Sequence, residues 1–391
     1  DLRPLGDPIK HIDNRASGVM PVAKLLENSF SYSNQLGQRN GSGVVYLNIF
    51  HRDIENFISS KKPNADEKIR LATLSTGVVI PSVFFELMKR DEDIALFSPY
   101  DIFREYGKRM SELSITEMYD ELLNNDNIRK LKYINARKLY TDIKKAQFES
   151  GYPFEIFDDN VNDAHALKGI GRVKMSNLCT EILQYMETSV ITDETEENEY
   201  GVDVSCNLGS IDIHAATKHA HFEQLVDTSM RLLTAVSTMT TIKNVPSIVK
   251  GNHAMHAVGL GAMNLHGHLV ANGIRYGSED AIAFTDVFME AMNYYSLKSS
   301  MRIAKERGET FDQFEKSTYA SGEYFEQYIN KEMPQLNDAV KQAIGSIPVI
   351  TADMWQQLKA DVQQHGLFHA YRLAVAPTGS ISYIRSCTAS I

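Results

Sequence analysis

The sequence predicts an α/β fold built on a parallel or barrel-like sheet, and three observations carry that expectation. Short apolar runs rich in β-branched residues alternate along the chain with longer segments of helical period. No internal repeat or disordered linker interrupts the alternation, so residues 1–391 read as one unit. The composition is also ordinary for a globular chain, with 391 residues, 43% hydrophobic and 23% charged.

The elements follow in order. Residues 19–36, VMPVAKLLENSFSYSNQL, place apolar side chains at helical spacing. GQRNGSG (37–43) is a glycine-rich loop, and VVYLNIF (44–50) a buried strand-like run. DIENFISSKK (53–62) reads as a short helix. LSTGVVIPSVFFELMKR (74–90) reads as a strand that turns into a helix at Pro81, and residues 101–150 as mostly helical. YPFEIFDDNVN (152–162) is expected to be a strand closed by a polar turn. MSNLCTEIL (175–183) is expected to be extended, and the acidic stretch 192–201 a solvated loop. VDVSCNLGSIDI (202–213) reads as a strand with a glycine break. Residues 259–273 read as a helix, and 278–308 as a long helix capped by Ser278 and closed by Gly308. YRLAVAPTGSISYI (371–384) reads as a strand followed by a glycine turn.

Charge and cysteine content narrow the function. The net charge of −10 supplies no basic footprint for nucleic acid. No apolar run approaches the length of a membrane span. Three cysteines, Cys179, Cys206 and Cys387, are too few for a secreted disulfide scaffold, so a cytoplasmic setting is expected. Neither Cys179 nor Cys206 belongs to a C-x-x-C or Cys/His cluster, and no metal site is expected. The chain opens at Asp1 in what reads as a loop and stops at SCTASI, so both ends read as cuts from a longer polypeptide.

Three segments carry chemistry. In MSNLCTE an extended backbone would put Asn177, Cys179 and Glu181 on one face, with Ser176, Leu178 and Thr180 on the other. Taken alone, that pattern also suits a buried structural cysteine. DVSCNLGS places Cys206 27 residues after Cys179, across the acidic stretch, so a redox pair and two unrelated core cysteines both stay open. APTGSIS (376–382) offers hydroxyls around Gly379, the composition of a phosphate cradle and equally of a plain strand–turn–helix junction. QLGQRNGSG (35–43) joins Gln35, Gln38 and Arg39 to three glycines, which suits contact with a base or phosphate or simply a surface loop.

As a set, SNLCTE, SCNLGS, GQRNGSGVVYLNIFHRDI, GLGAMNLHGHL, KERGETFDQFEKSTYASGEYF and APTGSISY closely resemble the catalytic large subunit of class I ribonucleotide reductase, class Ib above all. The resemblance runs from residue 1 to residue 391. It implies a ten-stranded α/β barrel with a central finger loop, here without its terminal segments. It also implies reduction of ribonucleoside diphosphates at the 2′ position under control by nucleoside triphosphates.

Site roles follow from the same resemblance. Cys179 matches the thiyl-radical cysteine, Glu181 the carboxylate that takes the 3′-hydroxyl proton, and Asn177 the amide that holds the substrate hydroxyls. Cys206 matches one of two reducing thiols. Ser176, Asn177, Pro377, Thr378, Gly379, Ser380 and Ile381 match the substrate-binding positions. Arg3, Ile9 and Lys10 fall on the effector segment, and Gln35 and Arg39 on the specificity loop, all within residues 1–50. The resemblance implies no directly bound cofactor. It does imply a small β subunit with a dimetal radical centre, a glutaredoxin- or thioredoxin-like dithiol, dNTP or ATP effectors, and a homodimer. Cys387 matches neither missing thiol role and reads as structural. The alternatives are a split or degenerate piece that binds nucleotides without turnover, and a cysteine hydrolase acting through Cys179, for which no histidine stands ready.

Overall fold

The computed structural model describes residues 1–34, 36–192 and 198–391. They form two compact units, Asp1–His165 with Val173–Leu183, and Ala166–Arg172 with Gln184–Ile391.

The first unit contains β1 (Val44–Asn48), β2 (Ser75–Ile80), β3 (Asp93–Leu96), β4 (Lys132–Asn135) and β5 (Phe154–Phe157). β2 lies between β1 and β5, and both pairings are parallel. Every residue of β2 is buried, as expected for a parallel strand covered on both faces. That is why STGVVI shows no polar alternation. β3 and β4 pair antiparallel, and β4 falls inside residues 101–150, a stretch expected to be mostly helical. Their runs, DIAL and KYIN, are too short for periodicity to register. Phe50, Phe84 and Phe97 are fully buried, each contributing about 2 kcal/mol of transfer free energy.

The second unit contains β6 (Leu208–Asp212) and β7 (Gly259–Met263), paired in parallel. Its core is built around helix Glu279–Arg307. Ser278 Oγ accepts the Ala281 N–H at 3.2 Å to start that helix, and Gly308, at φ 66°, ends it. Phe284, Phe288, Leu297 and, on helix Ala352–His365, Trp355 are buried together.

Several expected elements are corrected. Residues 259–273 are not one helix. Gly259–Met263 is a buried strand and Leu265–Ala271 a short helix, with Asn264 between them at φ 72°. A run as apolar as GLGAM suits a buried strand as well as a buried helix. The polar turn expected after β5 is instead the helix Asp158–Ala164. In 202–213 only Leu208–Asp212 is a strand. Residues 371–374 lie along β7, with the Leu260 N–H on the Arg372 carbonyl at 2.8 Å and the Ala374 N–H on the Leu260 carbonyl at 3.2 Å, yet form a single bridge at Leu373. Among the described residues no closed barrel forms; the ladders hold three, two and two strands.

Candidate active site

Residues 173–183 form a loop pinned at its root and middle. At the root, the Val173 N–H donates to Asn162 Oδ1 at 2.8 Å and Asn162 Nδ2 donates to the Val173 carbonyl at 3.2 Å. In the middle, buried Ser176 meets the Tyr46 hydroxyl at 2.6 Å. Tyr46 stands on β1 opposite Gly77 of β2, and a β-carbon at position 77 would overlap the Tyr46 ring. Glycine inside a strand marks this kind of close approach. Sequence reasoning overlooked Tyr46, although Gly77 in the middle of STGVVI was the available signal.

The extended reading of MSNLCTE is overturned. The chain turns at Leu178–Cys179. The Thr180 N–H donates to the Asn177 carbonyl at 3.2 Å, the Ile182 N–H to Asn177 Oδ1 at 3.1 Å, and the Asn177 N–H to the Ile182 carbonyl at 3.4 Å. Asparagine side chains compete with ladders by bonding nearby backbone, and here Asn177 closes the turn that way. Thr180 sits at φ 68°, a rare conformation for a β-branched residue, with a strain of about 1–3 kcal/mol. Asn177, Cys179 and Glu181 are therefore grouped by a turn and not by the face of a strand.

The electrostatics of the turn are specific. The Cys179 side chain is exposed, yet its pKa is raised above 9.0, by partial burial first and the Glu181 carboxylate second, while Arg39 pulls the other way. The group is thus a thiol at neutral pH, unlike the activated thiolate a cysteine hydrolase requires. Glu181 Oε2 is buried and, among the described residues, has no hydrogen-bond partner. A buried carboxylate oxygen without a donor is poorly compensated, and a hydroxyl brought to it would satisfy it.

The N-terminal segment is held by its own network. Asp7 is fully buried and accepts from Arg52, from the Ser98 hydroxyl, and from Arg129 at 3.3 Å. Asp53 accepts the Leu5 and Val19 N–H groups, at 3.0 and 3.1 Å. Beyond these anchors Ile9 and Ile12 exchange backbone bonds of 3.0 Å around Lys10, which has φ 48°. Arg3 donates to the Pro8 carbonyl at 2.6 Å and lies over the Tyr100 ring at 4.3 Å. Arg3, Ile9, Lys10 and Arg39 are exposed. Gln35 lies outside the described residues.

In the second unit, Cys206 is exposed between two anchored neighbours. Ser205 Oγ donates to Asn252 Oδ1 at 2.6 Å, and Asn207 Nδ2 to the Leu233 carbonyl at 2.7 Å. Gly379 begins the short helix Gly379–Arg385. Thr378 is buried, and its Oγ1 accepts the Ser390 N–H at 2.7 Å. Pro377, Gly379, Ser380 and Ile381 are exposed, and a β-carbon on Gly379 would meet open space. Cys387 donates its N–H to the Ser382 carbonyl at 3.1 Å. Its thiol pKa is pushed up by burial and by Asp212. None of the three cysteines is in a disulfide. Among the described residues no group of His, Cys, Asp and Glu is placed to hold a metal ion, and no helix is long and apolar enough to cross a membrane.

The 177–182 turn of this mixed α/β chain thus sets a thiol beside a carboxylate oxygen that has no partner among the described residues. Comparison with known proteins gives the family. The family model for the ribonucleotide reductase barrel domain matches residues 1–391, and the chain belongs to that family. It is 48% identical over 390 residues to the ribonucleoside-diphosphate reductase subunit alpha of Bacillus subtilis, covering 100% of this chain and 56% of that protein. The corresponding subunit of Mycoplasma pneumoniae is 46% identical over 397 residues, covering 100% of this chain and 54% of the relative. That of Chlamydia muridarum is 29% identical over 404 residues, covering 100% and 36%. The chain thus spans about half the length of the first two relatives.

Proposed function

We propose that residues 1–391 carry the central catalytic region of a cytoplasmic ribonucleoside-diphosphate reductase large subunit. The observation that carries this reading is the 177–182 turn, which keeps Cys179 protonated beside a carboxylate with a buried, unsatisfied oxygen. Hydrogen-atom transfer needs an S–H bond to be regenerated in each cycle, so a raised thiol pKa suits it.

In this reading a Cys179 thiyl radical takes the 3′-hydrogen atom of the substrate ribose. Glu181 accepts the 3′-hydroxyl proton as the 2′-hydroxyl leaves, protonated, as water. Two thiols, Cys206 and a partner outside residues 1–391, supply two electrons and two protons and end as a disulfide. Cys179 then returns its hydrogen to the 3′ carbon. Asn177 holds the substrate hydroxyls, with its Oδ1 also accepting the Ile182 N–H of the turn. Ser176 positions that turn through Tyr46. Pro377, Thr378, Gly379, Ser380 and Ile381 hold the diphosphate.

The complete subunit would close the ten-stranded barrel as one catalytic domain around the finger loop, and work as a homodimer. Its radical would come from a small dimetal subunit, and its electrons from a glutaredoxin- or thioredoxin-like dithiol. Residues 1–50 would form the effector segment, with Arg3, Ile9 and Lys10 on the dNTP or ATP and Gln35 and Arg39 on the substrate base. An effector acts by binding one loop arrangement more tightly than another.

The test is CDP reduction by the complete large subunit, with small subunit and dithiol present. Cys179→Ser is expected to abolish turnover while CDP still binds. Turnover retained by Cys179→Ser would sink the radical assignment. Nucleotide binding with no reduction by the unsubstituted subunit would favour a non-catalytic binding piece.

A further inference from the structure

A cavity of about 430 Å³ lies wholly within the second unit, walled by helix Glu279–Arg307, helix Glu323–Ile329 and residues 370–373. That volume falls in the range of roughly 300–1,000 Å³ typical of small-molecule sites. None of its residues has a part in the proposed reduction.

Arg372 lines the cavity and is 5% exposed. Its guanidinium donates to the Tyr319 hydroxyl at 3.1 Å, Asn293 Oδ1 at 3.2 Å and Ser296 Oγ at 3.4 Å. All three acceptors are neutral, and among the described residues no carboxylate forms an ion pair with Arg372. Two of the five guanidinium N–H groups remain unused. Buried charges in proteins are ordinarily paired.

Asn293, 7% exposed, adds an independent sign. Its Oδ1 accepts from both Arg372 and the Tyr324 hydroxyl, the latter at 3.1 Å. These two donors fix the amide orientation, because a flip would set Nδ2 against them. Nδ2 is left buried without a partner. The remaining walls are largely aromatic. The Tyr328 ring stacks on Trp355 at 4.3 Å, and the Trp355 indole N–H donates to Glu290 at 2.8 Å. Lys331, the other cation of the cavity, is held by both Asp286 and Glu290, each at 2.8 Å, a trio with one net negative charge that has no need of a further anion. One unpaired cation, one orphan amide N–H and a ring-lined wall together suit a flat molecule carrying a single negative charge. A guanidinium with two free N–H groups matches a carboxylate in geometry.

We propose that this cavity binds a small aromatic carboxylate, its carboxylate on Arg372 and Asn293 Nδ2 and its ring against Tyr324 and Tyr328. The proposal does not depend on the reductase reading, and its test does not use turnover.

Trp355 is the only tryptophan in the chain, so its fluorescence reports on the cavity through the stacked ring of Tyr328, which lines it. The full chain is titrated with benzoate, and with phenyl phosphate, benzyl alcohol and benzamidine as chemical controls. Benzoate is expected to change the Trp355 emission saturably and to bind at least tenfold more tightly than any control. Removing Arg372 endangers folding, so the decisive variant is Asn293→Asp. It keeps both acceptor bonds and supplies the missing anion within the protein. Asn293→Asp is expected to raise the unfolding temperature and to weaken benzoate binding at least tenfold. No saturable benzoate response, tighter binding of phenyl phosphate, or unchanged benzoate affinity in Asn293→Asp would each overturn the assignment.

Discussion

Cys179 and Cys206 are both exposed thiols in Asn- and Ser-containing segments, yet their surroundings differ in kind. Cys179 rides on a tight turn with a left-handed Thr180, a carboxylate pushing its pKa up and an arginine pulling it down. Cys206 stands between Ser205 and Asn207, each tied by one side-chain bond to a helix: Ser205 to Pro246–Met255, Asn207 to Phe222–Met239. The contrast teaches two ways of setting a thiol: the Cys179 turn places a carboxylate and an arginine around it, and the Cys206 segment is tied to two helices through its neighbours. A group that must give and recover a hydrogen atom needs control of its protonation. A group that only supplies electrons needs a fixed address.

The sharpest way to break that contrast is to exchange the roles. Cys179→Ser should abolish even a single turnover, while Cys206→Ser should leave radical-dependent loss of substrate but no deoxynucleotide; rapid-quench assays read both. Equal phenotypes would erase the distinction. Glu181→Gln comes next, with an expected fall in kcat of roughly 10²–10⁴-fold. The same substitution removes an upward push on the Cys179 thiol, so the pH midpoint of its alkylation by iodoacetamide should drop. Arg39→Gln should move that midpoint up. Opposite or absent shifts would show that the turn does not tune the thiol.

Stability changes are smaller. Gly77→Ala forces the Tyr46 ring aside and should cost about 1–3 kcal/mol in denaturant unfolding. Glu27 lies on helix Val19–Tyr32 and accepts the Thr73 and Leu74 N–H groups, and its pKa is lowered to about 2 from 4.5. Its stabilisation is therefore complete above pH 4.5 and is lost as pH falls through about 2. Glu27→Gln should lower stability at pH 7 by about 1–2 kcal/mol and flatten the acid limb of the stability profile. Smallest of all, Thr180→Asn should stabilise by about 0.5–1 kcal/mol, since asparagine tolerates the left-handed conformation.

Much of the fold was legible because helices and parallel strands leave distinct periods. Val19–Tyr32, Ser75–Ile80 with Ser82–Lys89, and Glu279–Arg307 fall where apolar spacing and caps put them. The failures share a cause: short apolar runs such as GLGAM carry no period, and strand-like alternation in MSNLCTE arises equally from a turn closed by asparagine. The site residues were visible as residue types, and their resemblance to a known motif named them. The support beneath them was not. Tyr46 and Ser176 stand 130 residues apart, and Gly77 and Asn162 act on partners that no local pattern names, so only the folded chain reveals which side chain leans on which.

The close approach at Gly77 constrains how the chain can change over time. No side chain larger than hydrogen fits at position 77 while a tyrosine occupies position 46, and the hydroxyl of that tyrosine steadies Ser176 beneath the thiol turn. Substitutions at these two positions are therefore coupled. Shortening residue 46 removes the hydroxyl outright and enlarging residue 77 pushes it aside, so either first step takes the rest from the thiol loop. The two sites should show strong mutational epistasis, since one ring contact and one hydroxyl link them.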